Sequence, residues 1–108
     1  MGDADDNETW LLEEGDRVIE RRVADGHSPP TMRDSLIYCL WVADYGMRNA
    51  GDLEAATDVY PTFMVDSLAA ARALGLPMAT EAFSLPIARL EERYFDLFDS
   101  LVAELRQT

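Results

Sequence analysis

The sequence predicts an all-α protein: a compact bundle of four main helices with one or two short ones. Three observations carry that prediction. Apolar residues recur at intervals of three and four along most of the chain. No segment alternates apolar and polar residues between hairpin turns. Gly or Pro falls at most breaks in the pattern. The 108 residues, 48% of them hydrophobic, suffice for one core. The expected organisation is an acidic, frayed N-terminus over 1–8 and a single helical domain over 9–108.

In chain order, Leu11, Leu12, Val18, Ile19 and Val23 share a helical face from about Trp10 to Ala24. Gly15 lies inside that helix and weakens it by up to ~1 kcal/mol relative to Ala. Gly26-His27-Ser28-Pro29-Pro30 is a loop, because paired prolines stop a helix. Thr31-Met32-Arg33-Asp34 then reads as a capping box, with the Thr31 hydroxyl accepting from the backbone while Asp34 reaches back. The helix it opens, about 32–49, is apolar round most of its circumference from Leu36 to Ala43, which predicts the central, most buried element. Asn49-Ala50-Gly51 stops it, and Asp52 caps a short helix through about Asp58. Pro61 is expected at the first position of the next helix, which shows Met64, Leu68, Ala71 and Leu74 on one face and ends at Gly75. Pro77 starts a short turn to Phe83. Ser84 is expected to cap the last helix, whose stripe of Ile87, Leu90, Tyr94, Leu97, Leu101 and Leu105 is widened by Phe95, Phe98 and Val102.

Charge separates the function classes. Twenty-one acids face nine basic residues, all of them Arg, for a net charge of −12. Such a chain repels nucleic acid, anionic membranes and acidic substrates and attracts basic partners. Spread over roughly 6,000 Å² of folded surface, this is several-fold more dilute than DNA, which carries one charge per ~1.7 Å of axis. A DNA-like surface therefore requires the acids to gather in space. Along the chain they interleave with arginines, as in Glu20-Arg21-Arg22 and Glu91-Glu92-Arg93, and concentrate only over residues 1–25. The longest apolar run is far too short for a bilayer, no secretory signal is visible, and a lone Cys39 agrees with a reduced, cytoplasmic setting.

Most catalytic arrangements lack their residues. One His and one Cys, in a loop and a buried helix, offer no zinc spacing, and neither metal nor cofactor is expected. There is no Gly-x-Ser-x-Gly element and no Walker Lys. The adjacent pairs Glu13-Glu14 and Glu91-Glu92 diverge round their helices and read as solvated surface.

Two constellations remain. Asp44 and Arg48, four residues apart, either form an ion pair closing the last turn of the central helix or stand at the rim of a pocket with Trp41, Tyr45, Asn49 and Asp52. The acidic segment of Asp3, Asp5, Asp6, Glu8, Glu13 and Glu14 surrounds Trp10, which either anchors a protein interface or folds back onto its own helix. The other aromatics fall mostly at core spacing.

Tyr45-Gly46-Met47-Arg48-Asn49-Ala50-Gly51, Ala69-Ala70-Ala71-Arg72-Ala73-Leu74-Gly75 and Leu90-Glu91-Glu92-Arg93-Tyr94-Phe95-Asp96 occur in an order that resembles a bacterial family of small, acidic, all-helical proteins, across residues 36–100. That family includes a dimeric DNA-mimic protein that acts on a transcription factor. Its members carry an Asn-Gly-Gly-aromatic turn where this chain has Asn49-Ala50-Gly51-Asp52. The resemblance implies an all-α fold, a non-enzymatic role and carboxylates that imitate phosphates.

The leading expectation is accordingly a non-enzymatic acidic protein that binds a basic protein partner, as an inhibitor, an immunity-type neutraliser or a DNA mimic. The alternative is a small-molecule-binding or hydrolytic domain using Asp44 and Arg48. A third reading is a homodimer for which acidity confers solubility.

Overall fold

Six helices and no strand make up the described residues, 3–25 and 31–108, of the computed structural model; its side chains are described from 7 to 24 and from 31 onward. They are α1 (Asp3–Asp25), α2 (Met32–Ala50), α3 (Glu54–Val59), α4 (Phe63–Leu74), α5 (Pro77–Ser84) and α6 (Ile87–Arg106). Four are long and two short, the all-α bundle that periodicity predicts. The loop containing His27 lies outside the described residues.

Helix α2 is the centre. It packs on α1, α3, α4 and α6, while α4, α5, α6 and α1 touch in succession around it. Its all-round apolar run explains the position: Leu36, Ile37, Cys39, Leu40, Val42 and Ala43 are all buried. One contiguous cluster joins Leu36, Ile37, Leu40, Val42 and Ala43 to Leu11 and Val18 of α1, Phe63 of α4, Phe83 of α5, and Leu90, Tyr94 and Phe98 of α6.

The ends of the elements show which local signals were sufficient. The Thr31 hydroxyl accepts from the Asp34 N–H at 3.0 Å, as a capping box requires, but the Asp34 carboxylate takes Arg21 through two hydrogen bonds. Gly51 and Gly75 both adopt left-handed conformations, φ +77° and +69°, as helix stops. Asp52 accepts from the Ala55 N–H at 3.2 Å and so caps α3.

Other boundaries move for tertiary reasons. Helix α1 begins at Asp3, two turns before the apolar pattern starts. Asn7, only 5% exposed, accounts for this: its amide donates to the Asp99 carboxylate at 3.2 Å, and its oxygen accepts from Arg106 at 2.9 Å. A polar side chain that looks solvated in sequence thereby ties the first turns of α1 to α6. Pro61 lies in a turn, and α4 starts at Phe63. Asp66 holds that turn by accepting from the Tyr60 hydroxyl and from the Thr62 hydroxyl. Ser84 does not cap α6: its hydroxyl donates back to Thr80 O at 2.6 Å, and Pro86 sets the extended entry to α6.

Two acids of α6 cap neighbouring helices. Glu104 accepts from the Met78 and Ala79 N–H groups at 2.9 and 3.0 Å, at the start of α5 behind Pro77. Glu91 accepts from the Leu53 N–H at 2.8 Å, at the start of α3. Glu91 is therefore not the solvated residue that its pairing with Glu92 suggested; these N–H groups have no partner inside their own helix, and a carboxylate there also complements the helix dipole. Part of the negative charge is structural.

Candidate functional site

Trp41, Asp44, Tyr45, Arg48 and Asn49 fall on one side of α2, because three- and four-residue steps return to the same face. The structure brings all five to one recess of about 100 Å³, completed by Glu8 and Leu12 of α1. Asp52 is elsewhere, engaged as the α3 cap. Helix α1 reaches the recess because Gly15 has no side chain: a Cβ there would overlap the Trp41 indole, lying 2.8 Å from Cγ. The glycine that costs α1 helix propensity is thus a close-packing point.

Asp44 does not stand free at the rim. It is 3% exposed, and both its oxygens are taken. The Tyr94 hydroxyl donates to Oδ1 at 2.7 Å, and the Arg48 Nε–H lies 3.0 Å from each oxygen. Burial pushes the Tyr94 hydroxyl well above its ordinary pKa, and the neighbouring Asp44 charge adds to the effect, so this phenol remains a donor. Arg48 is also approached by Glu8, at 3.6 Å, and its guanidinium lies over Phe95 and Phe98 at 5.3 and 5.0 Å. Among the described residues no buried side-chain nitrogen or oxygen lacks a partner.

This geometry joins α2 to α6 through the Asp44 carboxylate, and α1 to both through Glu8 and the Arg48 guanidinium. It offers a ligand little polar chemistry that is not already used, and its volume falls below the ~300 Å³ at which small-molecule sites begin. Tyr94 and Phe98, which complete the arrangement, were read from the sequence only as core residues, and Glu8 only as part of the acidic segment. Tyr94 lies 50 residues from Asp44, a separation that no local pattern bridges.

The acidic segment divides. The side chains of Asp3, Asp5 and Asp6 lie outside the described residues. Glu8 turns to Arg48, Glu14 pairs with Arg17, and Glu13 is exposed. Trp10 is partly buried against the core, with the Arg33 and Arg106 guanidiniums over its ring at 5.9 and 5.7 Å. These contacts place it at the junction of α1, α2 and α6. Beyond the predicted set, Asp16 and Glu20 lie three and seven residues from Glu13, on the same outer stripe of α1; all three are exposed and carry no ion pair among the described residues.

The buried Cys39 has its pKa raised by burial, which opposes formation of a reactive thiolate. No group of three or more metal-ligating side chains occurs among the described residues, and no described helix is long and apolar enough to cross a membrane. Comparison with protein families, with curated proteins and with solved structures returns no match to this chain.

Proposed function

We propose that the chain is a non-enzymatic interaction protein that binds a basic protein partner, in an inhibitory, neutralising or DNA-mimicking role. The observation that supports this most is the unmatched stripe of Glu13, Asp16 and Glu20 on α1. Every arginine of α1 and α2 already has a partner within the fold: Arg17 with Glu14, Arg21 with Asp34, Arg22 over Tyr38, Arg33 with Thr108, and Arg48 with Asp44. Arg17, Arg21 and Arg48 meet carboxylates while Arg22 and Arg33 meet neutral groups, so three unmatched acids stand against two guanidiniums and the balance on this side is negative. The net −12 over 6145 Å² amounts to about one charge per 500 Å², which favours steering of a cationic protein over imitation of a whole DNA duplex.

The alternative, a small-molecule or hydrolytic site at Asp44 and Arg48, is supported by the convergence of Trp41, Asp44, Tyr45, Arg48 and Asn49 on one recess. The engagement of both Asp44 oxygens weighs against it.

The test is capture from native lysate at low salt followed by a salt gradient, with the wild-type chain and the Glu13→Gln/Asp16→Asn/Glu20→Gln variant in parallel. Basic proteins should elute as salt shortens screening toward ~8 Å at physiological ionic strength, and the variant should lose them. Equal retention by the two chains, or a partner that ignores salt, refutes the proposal.

A further inference from the structure

Two hollows follow one another along the seam between α1 and α2, bordered by a partly exposed stripe on each helix, and together form a shallow groove. On α1, Leu12, Asp16, Ile19 and Val23 follow one another at steps of four, three and four, and so share one side of the helix. Leu12 meets Trp41 and Tyr45 at the recess, while Ile19 and Val23 border a wider hollow of about 290 Å³ with Tyr38 and Arg22. On α2, Tyr38, Trp41 and Tyr45 stack in sequence: centroids 6.1 Å apart at 15° between planes, then 6.3 Å at 18°. The seven residue steps from Tyr38 to Tyr45, at ~1.5 Å rise each, give an aromatic ladder about 10 Å long. Gly15 is what lets α1 come down against it.

Val23 is 79% exposed, Tyr45 49% and Leu12 47%. Leu12 and Tyr45 share one hollow and Val23 borders the next along the same helix, and large apolar side chains this exposed along one seam mark an interaction surface. Charge selects the occupant. The Arg22 guanidinium lies 4.7 Å over the Tyr38 ring, a view of how a cation sits on the ladder, and Arg48 is held by Asp44 and Glu8. Asp16 and Glu20 on the α1 side have no ion pair. Arg22 is the one guanidinium on the wider hollow that meets no carboxylate among the described residues, so Asp16 and Glu20 leave the charge along the groove net negative. A second copy of this chain would bring −12 against −12 and set carboxylate against carboxylate.

We propose that the α1–α2 groove takes a basic amphipathic helix of a partner protein, with its apolar side chains between Leu12, Val23 and Tyr45 and an arginine or lysine on Asp16. This rests on the reading of the chain as a binder of basic proteins and specifies where and how it binds. Acids alone accept any cationic polymer, whereas an apolar ladder also demands apolar side chains at helical spacing.

The test uses three probes: an amphipathic Leu/Arg helical peptide, an oligo-arginine of equal charge, and the amphipathic peptide with Gln for Arg. Each is titrated against the wild-type chain, Tyr45→Ala and Asp16→Asn, two surface substitutions whose folding is verified by circular dichroism. The Leu/Arg peptide should bind at least tenfold more tightly than either other probe. Tyr45→Ala and Asp16→Asn should each weaken it severalfold, and Tyr45→Ala should leave oligo-arginine unchanged. If both cationic probes bind alike and Tyr45→Ala changes neither, the groove is overturned while the basic-partner reading stands. Failure of both to bind overturns both readings. Equal binding of the Gln peptide overturns the basic character of the occupant, and sedimentation as a dimer that excludes the peptide and that Tyr45→Ala dissociates assigns the groove to a second copy instead.

Discussion

Tyr94→Phe isolates the bond that decides what Asp44 is for. The substitution deletes one hydroxyl from a ring that is 1% exposed and leaves the ring's packing against Phe95 and Phe98 in place. What is lost is a 2.7 Å hydrogen bond to a buried carboxylate. Hydrogen bonds to charged groups contribute ~1.5–3 kcal/mol, and the carboxylate oxygen loses a donor that water cannot readily replace. With an unfolding entropy of ~2.1 cal/mol/K per residue, a chain of this length loses about 4 °C of Tm per kcal/mol, so the expected fall is about 7–13 °C. Thermal unfolding followed by circular dichroism measures the fall, and urea unfolding with an unchanged m-value verifies that the unfolded reference is the same. The same substitution in an Asp44→Ala background should be close to neutral, because the hydroxyl has already lost its acceptor. A fall under about 2 °C in the single variant, or a full-sized loss that persists without Asp44, refutes the view of Asp44 as the joint between α2 and α6 and reopens it as a ligand group.

Three further outcomes follow from other contacts. Gly15→Ala should destabilise the protein and alter Trp41 fluorescence, although helix propensity alone favours Ala by up to ~1 kcal/mol, because the new methyl meets the Trp41 indole; a stabilised variant with unchanged fluorescence refutes this. Glu104→Ala should cost about 1–2 kcal/mol in urea unfolding through loss of the α5 cap, and Glu104→Gln, which keeps an acceptor oxygen, should recover part of it. Alkaline pH should unfold the chain. Burial raises the Cys39, Tyr60 and Tyr94 pKa values, so above the unfolded-state values of about 8.5 for Cys and 10 for Tyr the unfolded chain releases protons that the folded chain keeps. Stability is then full below about pH 8.5 and falls as pH rises, by up to ~1.4 kcal/mol per pH unit for each of the buried Cys39 and Tyr94, with a smaller contribution from the partly exposed Tyr60. Urea midpoints from pH 8 to 11, with tyrosinate absorbance recorded alongside, measure it, and ionisation of Tyr60 and Tyr94 near pH 10 in a chain that remains folded refutes it.

Much of the fold was legible because its signals are local. The apolar circumference of residues 36–43 identified the central helix, and Thr31, Gly51 and Asp52 each acted within a few residues of themselves as caps or stops. The boundaries that moved were set from a distance: Asn7 by Asp99 and Arg106, and the entry to α6 by Pro86 where Ser84 bonds backward. The candidate site shows the same division. Helical spacing placed Trp41, Asp44, Tyr45, Arg48 and Asn49 on one face. It could not supply Tyr94, which meets Asp44 across 50 residues, nor Glu8, which closes the recess from another helix.

The sequence by itself determined the all-helical class, the identity of the central helix and a charge that repels polyanions, since periodicity, caps and composition are properties of neighbouring residues or of their sum. Only the tertiary structure decided which acids remain available. Glu91 and Glu104 cap helices, Asp44 joins α2 to α6, and Glu13, Asp16 and Glu20 face outward unmatched. A carboxylate's role depends on the donor it meets, and that donor is brought by packing from parts of the chain that no local pattern connects.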